Sequence, residues 1–266
     1  MNALTNHPPT RRPSPIARAL LALLTAFGLV AGAAALPASA VPSPTYFGLG
    51  DSIAAGTGGS TVVDAACLRT AQAYPTQLHG TNLGCFGATT TEVQAQAAAL
   101  TGAVKTVTIT VGANDIGVGS VANVCMTQDP ASCQTAIGAA TMALQQLPTA
   151  LTNTIAAVRA KAPNARITLT GYPLLFTVSG LSPTQQPVAA EINGATALLN
   201  STIATTALRN GALYTDVTWR FLGHGIGSPQ PWIHVPGDSA NALEAFHPND
   251  NGYKYGYVPA VRPFVQ

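Results

Sequence analysis

The sequence predicts an α/β fold: a parallel sheet with helices on both faces. Three observations carry that expectation. Short β-branched runs alternate with longer helical stretches along the chain. The segments between successive strand-like runs are long enough to hold crossover helices, which parallel pairing requires. Of 266 residues, 47% are hydrophobic and only 8% charged, so the chain can bury a sizeable core and is not of disordered composition.

Residues 46–49 (YFGL) form a short apolar run that ends at a glycine-rich turn. Residues 89–100 (TTTEVQAQAAAL) are rich in alanine and glutamine and read as a helix. Residues 104–111 (VKTVTITV) are β-branched and read as a buried strand. Residues 135–161 are helical in composition, with Pro148 breaking or bending the run. Residues 166–170 (RITLT) are the next strand. A helix over 187–209 opens on a proline and closes at Gly211. Residues 213–217 are a last strand, and 258–265 are a C-terminal helix or an extended end. The segment 222–240 holds four glycines and three prolines and reads as an irregular loop.

The N-terminus reads as a leader. Arg11, Arg12 and Arg18 precede an uncharged apolar run over 19–36, and Ala38 and Ala40 form an A-x-A site. That is the layout of a secretory signal peptide covering residues 1–40, with one catalytic domain over 41–266 and an extracellular location. An uncleaved membrane anchor is the other reading of the run. Arg11-Arg12 raises a twin-arginine route beside the general secretory one. The net charge of +2 gives no reason to expect a nucleic-acid partner.

Cys67, Cys85, Cys125 and Cys133 all follow the leader, an even count that suggests disulfides. Of the three possible pairings, the sequence-local one (Cys67–Cys85, Cys125–Cys133) is chosen. Each short loop is then worth about 2–3 kcal/mol on the chain-entropy view. The alternative, a metal site, lacks any C-x-x-C and any neighbouring histidine.

Three polar clusters fall where strands end or helices begin: Gly50-Asp51-Ser52, Gly87-Ala88-Thr89 and Gly112-Ala113-Asn114-Asp115. Any one of them reads as a helix cap. Together they would converge on one edge of a parallel sheet, where functional residues gather. If Ser52 is a nucleophile it needs a base. His247, in Glu244-Ala245-Phe246-His247-Pro248, is the histidine with a carboxylate three residues upstream, able to reach Nδ1 and leave Nε2 for the serine. The backbone N–H groups of Ser52 and Gly87 and the Asn114 amide make a workable oxyanion hole. Asp51 is expected to brace the serine turn, Asp115 to cap a helix or hold a turn, and residues 56–59 to be a mobile rim.

Four blocks in order, Gly50-Asp51-Ser52, Gly87, Gly112-x-Asn114-Asp115 and His247-Pro248, resemble those of the SGNH hydrolases, the GDSL-type esterases and lipases. The likeness runs from residue 46 to about 253. "CLRTAQAYP", "CFGATT" and "VGANDIG" look most like the secreted actinobacterial lipase branch. The resemblance implies a three-layer, flavodoxin-like α/β/α sandwich. It implies Ser52 as nucleophile, His247 as general base, and Ser52 N–H, Gly87 N–H and Asn114 Nδ2 as the oxyanion hole, with no metal or organic cofactor. Two positions depart from the pattern: Ile53 stands for the usual leucine, and Glu244 for the usual aspartate. Some secreted relatives orient the histidine with a backbone carbonyl instead; the Glu244 side chain is slightly favoured here.

The expected protein is a monomeric secreted esterase or lipase acting on small or lipid esters, with transient contact with lipid surfaces. A carbohydrate O-acetyl esterase and a non-catalytic envelope protein binding lipid or glycan are the alternatives.

Overall fold

The computed structural model describes residues 44–127, 129–238 and 241–265. The leader over 1–40 lies outside them. In chain order the main elements are β1 (Tyr46–Gly50), α1 (Ser52–Ala55), β2 (Val62–Asp64), β3 (Arg69–Thr70), α2 (Tyr74–Gln77), β4 (Thr81–Asn82) and α3 (Thr90–Gln96). There follow β5 (Thr106–Thr110), α4 (Val118–Thr127), α5 (Pro130–Leu144), α6 (Leu147–Lys161), β6 (Arg166–Thr170), α7 (Gln186–Arg209), β7 (Leu213–Thr215) and α8 (Val258–Val265).

Five strands form one sheet in the order β4-β1-β5-β6-β7, and every neighbouring pair is parallel. The chain steps outward from β1 to β4, then crosses back over β1 to β5 and continues to β7. The order therefore reverses between β1 and β5, and a crevice opens at the C-terminal ends of such a strand pair. β2 and β3 make a separate antiparallel ribbon.

Alternation along the strands divides the core. Leu49, Val107, Ile109, Ile167 and Leu169 are fully buried on one face, where α3 packs on β1, α7 on β6 and β7, and α6 bridges the two helices. The other face carries the buried threonines Thr108, Thr110 and Thr170. Thr/aliphatic alternation is ordinarily the mark of a sheet with one wet face. Here the hydroxyls meet tyrosines instead: Tyr46 Oη lies 3.0 Å from Thr108 Oγ1 and Tyr74 Oη 2.9 Å from Thr110 Oγ1. Thr110 Oγ1 is also 2.6 Å from Thr170 Oγ1. Tyr74 stacks on Tyr257, and α8 covers β5 and β6. Both faces are thereby closed, giving the α/β/α layering.

Local chemistry explains the element ends. Thr89 and Glu92 form a reciprocal capping box at the start of α3, and a 3-10 turn over Ala97–Ala99 completes the stretch that reads as one helix. The helical composition over 135–161 resolves into α5 and α6. Pro148 is not a mid-helix kink; it sits in the first turn of α6, where its missing N–H costs nothing. The 258–265 segment is a helix with Pro263 inside it. The structure also holds elements with no strong sequence signal, above all the two-residue edge strand β4 and helix α4.

The four cysteines are joined as Cys67–Cys85 and Cys125–Cys133. The first ties the loop after β2 to the loop after β4; the second ties α4 to α5.

Thr110→Val should lower unfolding free energy by about 1–3 kcal/mol, because it strips a partner from two buried hydroxyls while conserving shape. Urea denaturation with an unchanged m-value measures this; a stability equal to that of the parent would refute the role given to the threonine–tyrosine layer.

Candidate active site

β1 ends at Gly50, which has φ +138° and a backbone pressed against β5. A Cβ at Gly50 would lie 2.1 Å from the Thr110 carbonyl oxygen, so no other residue fits. The Asp51 N–H donates to that same oxygen at 2.9 Å, and Gln96 clamps both the N–H and C=O of Gly50. Asp51 then N-caps α1 by accepting from the Ile53 N–H at 2.9 Å. Ser52 is the first residue of that turn, and its N–H has no acceptor within the helix.

β5 ends beside it and leads to Asn114, whose Nδ2 donates to the Ala88 carbonyl at 2.9 Å. Gly87 adopts φ +77°, and a Cβ there would meet nothing within 4 Å. Its side-chain-free backbone is therefore required by the left-handed conformation, not by crowding from the protein. The flanking N–H groups of Phe86 and Ala88 donate to Cys67 O and Cys85 O, which pins the loop on both sides of Gly87. Asp115 accepts from the Thr90 N–H and hydroxyl and so ties this block to the start of α3, the turn-holding part expected of it.

His247 comes from the far end of the chain. The Ile233–Pro248 bridge, with N–H donation from His234 to His247 O and from Phe246 to His234 O, fixes its segment. Phe246 has φ +65°, a strained conformation for a non-glycine residue next to the histidine. His247 Nε2 lies 2.8 Å from Ser52 Oγ. His247 Nδ1 lies 3.0 Å from the Ala245 carbonyl oxygen. The acceptor expected there, the Glu244 side chain, is thus replaced by a main-chain oxygen two residues upstream. A tight turn presents that carbonyl to the ring, and the Glu244 carboxylate acts on the imidazole through its charge.

Burial lowers the His247 pKa to about 4, partly offset by the backbone carbonyls of Ala245 and Glu244. The imidazole is neutral at pH 7, and a hydrogen bond from Nδ1 to Ala245 O leaves Nε2 as the acceptor facing the serine. Burial raises the Asp51 pKa to about 7, opposed by hydrogen bonds from Tyr172 Oη and the backbone. Tyr172 Oη donates to Asp51 at 2.5 Å and accepts from the Ala113 N–H at 3.2 Å. It links the serine turn to the Asn114 block.

Ser52, Gly87, Asn114 and His247 line one pocket of about 820 Å³, open solvent at its mouth included. Its other walls are mainly apolar, among them Phe86, Val118, Ala122, Leu175, Leu199 and Phe246. Residues 56–59 are buried, not a mobile rim: Gly58 O accepts from His234 Nε2 at 2.8 Å and Thr57 O from Tyr253 Oη at 2.8 Å. Sequence reasoning missed Tyr172 and Phe246, since each earns its place through contacts with distant segments. The Ala245 carbonyl has no side-chain signature at all. His224, which has no evident partner in the sequence, stacks on Trp232 with ring centroids 3.7 Å apart. Among the described residues no group of three or more His, Cys, Asp or Glu could hold a metal ion.

Fold and site together define a three-layer α/β/α protein with Ser52, Gly87, Asn114 and His247 gathered at the switch point of a parallel sheet. The GDSL-like lipase/acylhydrolase family model matches residues 49–255, and the chain belongs to that family of ester hydrolases. It is 32% identical to lipase 1 of Streptomyces coelicolor over 263 residues, 91% of this chain and 97% of that one. Among solved structures it is similar to a phospholipase A1 from Streptomyces albidoflavus (TM-score 0.78, 31% identity, 84% of this chain and 100% of that one). It is also similar to an extracellular lipase from Streptomyces rimosus (TM-score 0.76, 30% identity, 82% and 98% covered).

His247 should titrate near pH 4, measured by NMR of its ring. The unfolded chain takes up that proton near pH 6.5, so this group's stabilising contribution is complete above about 6.5 and is lost as pH falls toward 4. Asp51 runs the other way: its contribution is complete below about 3.9 and is lost as pH rises through 7. His247→Gln should therefore flatten the loss of stability between about pH 6.5 and 4; an unaltered slope in pH-dependent urea unfolding would contradict the assignment.

Proposed function

We propose that the chain is a secreted serine esterase that cleaves carboxylic esters of apolar acyl chains through an acyl-enzyme on Ser52. The observation that carries the reading is the 2.8 Å contact between Ser52 Oγ and His247 Nε2. Ser52 Oγ attacks the ester carbonyl while its proton passes to Nε2. The tetrahedral oxyanion is held by the Ser52 N–H, the Gly87 N–H and Asn114 Nδ2. On collapse, Nε2 gives its proton to the departing alcohol. Water then attacks the acyl carbon with His247 again as base, and Ser52 is released. Ala245 O steadies Nδ1–H throughout and supports the transient imidazolium.

The apolar pocket walls favour a hydrocarbon acyl group over acetyl, because buried methylenes contribute about 0.8 kcal/mol each. Export with removal of residues 1–40 is supported by the two disulfides and by the extracellular relative.

Ser52→Ala should abolish hydrolysis of p-nitrophenyl esters and labelling by a fluorophosphonate probe while leaving the melting temperature near that of the parent; surviving turnover would sink the assignment. Asn114→Ala should lower kcat by about 10²–10³-fold. Glu244→Gln and Glu244→Ala should both stay near the parent rate, since a main-chain carbonyl steadies the ring; a large loss in both would restore the carboxylate to that task. The acid limb of kcat/KM should fall near pH 4 rather than 6.5.

A further inference from the structure

Beside the catalytic pocket lies a second apolar cavity of about 790 Å³, solvent at its mouth included. α4, α5 and α7 wall it, and it shares Val118 and Thr196 with the first pocket. Its lining includes Ile116, Val121, Ile137, Leu144, Ile192 and Leu198. Leu198 stands 52% exposed, an apolar wall left wet. The Cys125–Cys133 disulfide joins the two helices on one side, and Gln134 Nε2 donates to the Glu191 carboxylate across to α7.

We propose that this cavity takes the second acyl chain of a two-chain ester lipid while the scissile chain occupies the catalytic pocket. The inference rests on the serine-esterase reading. Val118 and Thr196 line both cavities, so the two lie side by side across a shared wall, as two chains on one small alcohol scaffold require. Lining residues Ile137 and Leu144 are seven positions apart on α5, and Glu191 and Leu198 seven apart on α7. Each wall is thus about 10 Å long. At under about 1.5 Å of advance per carbon–carbon bond, that accommodates about eight carbons. A sugar or a peptide would set polar groups against these aliphatic walls without partners.

Ala195 and Ala140 line only the second cavity, from facing helices. Ala195→Trp and Ala140→Trp should fill it. The substrates are monomeric dioctanoyl phosphatidylcholine, with two chains, and p-nitrophenyl octanoate, with one. The ratio of kcat/KM for the two-chain over the one-chain ester should fall about tenfold in each variant, which is less than the burial of two methylenes contributes. One-chain turnover should stay near that of the parent. If one variant fails to fold, judged by its melting curve, the other tests the cavity from the opposite wall. An unchanged ratio, or a parent enzyme that cleaves the one-chain ester and ignores the two-chain one, overturns the proposal and leaves the esterase reading standing. Failure of the esterase reading shows separately, as parent protein that hydrolyses neither ester and takes no fluorophosphonate label.

Discussion

The approach of Gly50 to Thr110 governs the end of the sheet where the candidate site lies. Two central strands meet so closely there that a single Cβ would overlap a carbonyl oxygen at 2.1 Å. That oxygen takes the Asp51 N–H, so the chain leaves β1 in one direction only, and Ser52 begins a helical turn at the point where strand order reverses. A side chain at Gly50 would have to part the sheet before it could be accommodated, and the serine would move with it.

Around this junction, short polar links join segments far apart in sequence. Tyr172 connects Asp51 with Ala113, Asp115 connects the third block with α3, and Gln96 reaches back from α3 to Gly50. The Cys67–Cys85 disulfide and the Phe86 amide hold the second block against the loop of the ribbon, and the Ala88 amide closes the turn around Gly87. The groups that line the candidate site are thereby fixed by neighbours that lie behind it. This is the economy of a preorganised site: donors stay in place while charge develops between them.

The electrostatics follow from the same packing. A histidine drawn into an apolar wall loses its proton readily and stands neutral, ready to accept one from a serine 2.8 Å away. A carbonyl is a gentler partner for Nδ1 than a carboxylate. It directs the ring and pulls the resting pKa upward by less than burial pushes it down, so burial dominates. Asp51, buried beneath the serine turn, leans the opposite way and is kept in place by the hydroxyl of Tyr172. A second apolar hollow lies next to the pocket around Ser52 and shares Val118 and Thr196 with it.

Strand and helix order, the blocks at Ser52, Gly87, Asn114 and His247, and the family were legible from residues 46 to 253. They depend on local composition, glycine placement and order, all of which a linear chain carries. The threonines of β5 and β6 announced strands, but not the tyrosine layer that covers them, because Tyr74 and Tyr257 come from segments with no strand or helix periodicity to flag them. Glu244 read as the partner of His247 because only side chains have letters; the oxygen at Nδ1 belongs to the main chain of Ala245, whose position depends on how the 234 and 247 segments pair. Tyr172, the buried 56–59 turn and the second apolar cavity are likewise products of packing. Sequence by itself determined which chemical groups the protein owns and the order of its elements. Tertiary structure alone decided which groups meet, because hydrogen-bond distance between residues 195 positions apart is set by the closing of the sheet and its covering helices.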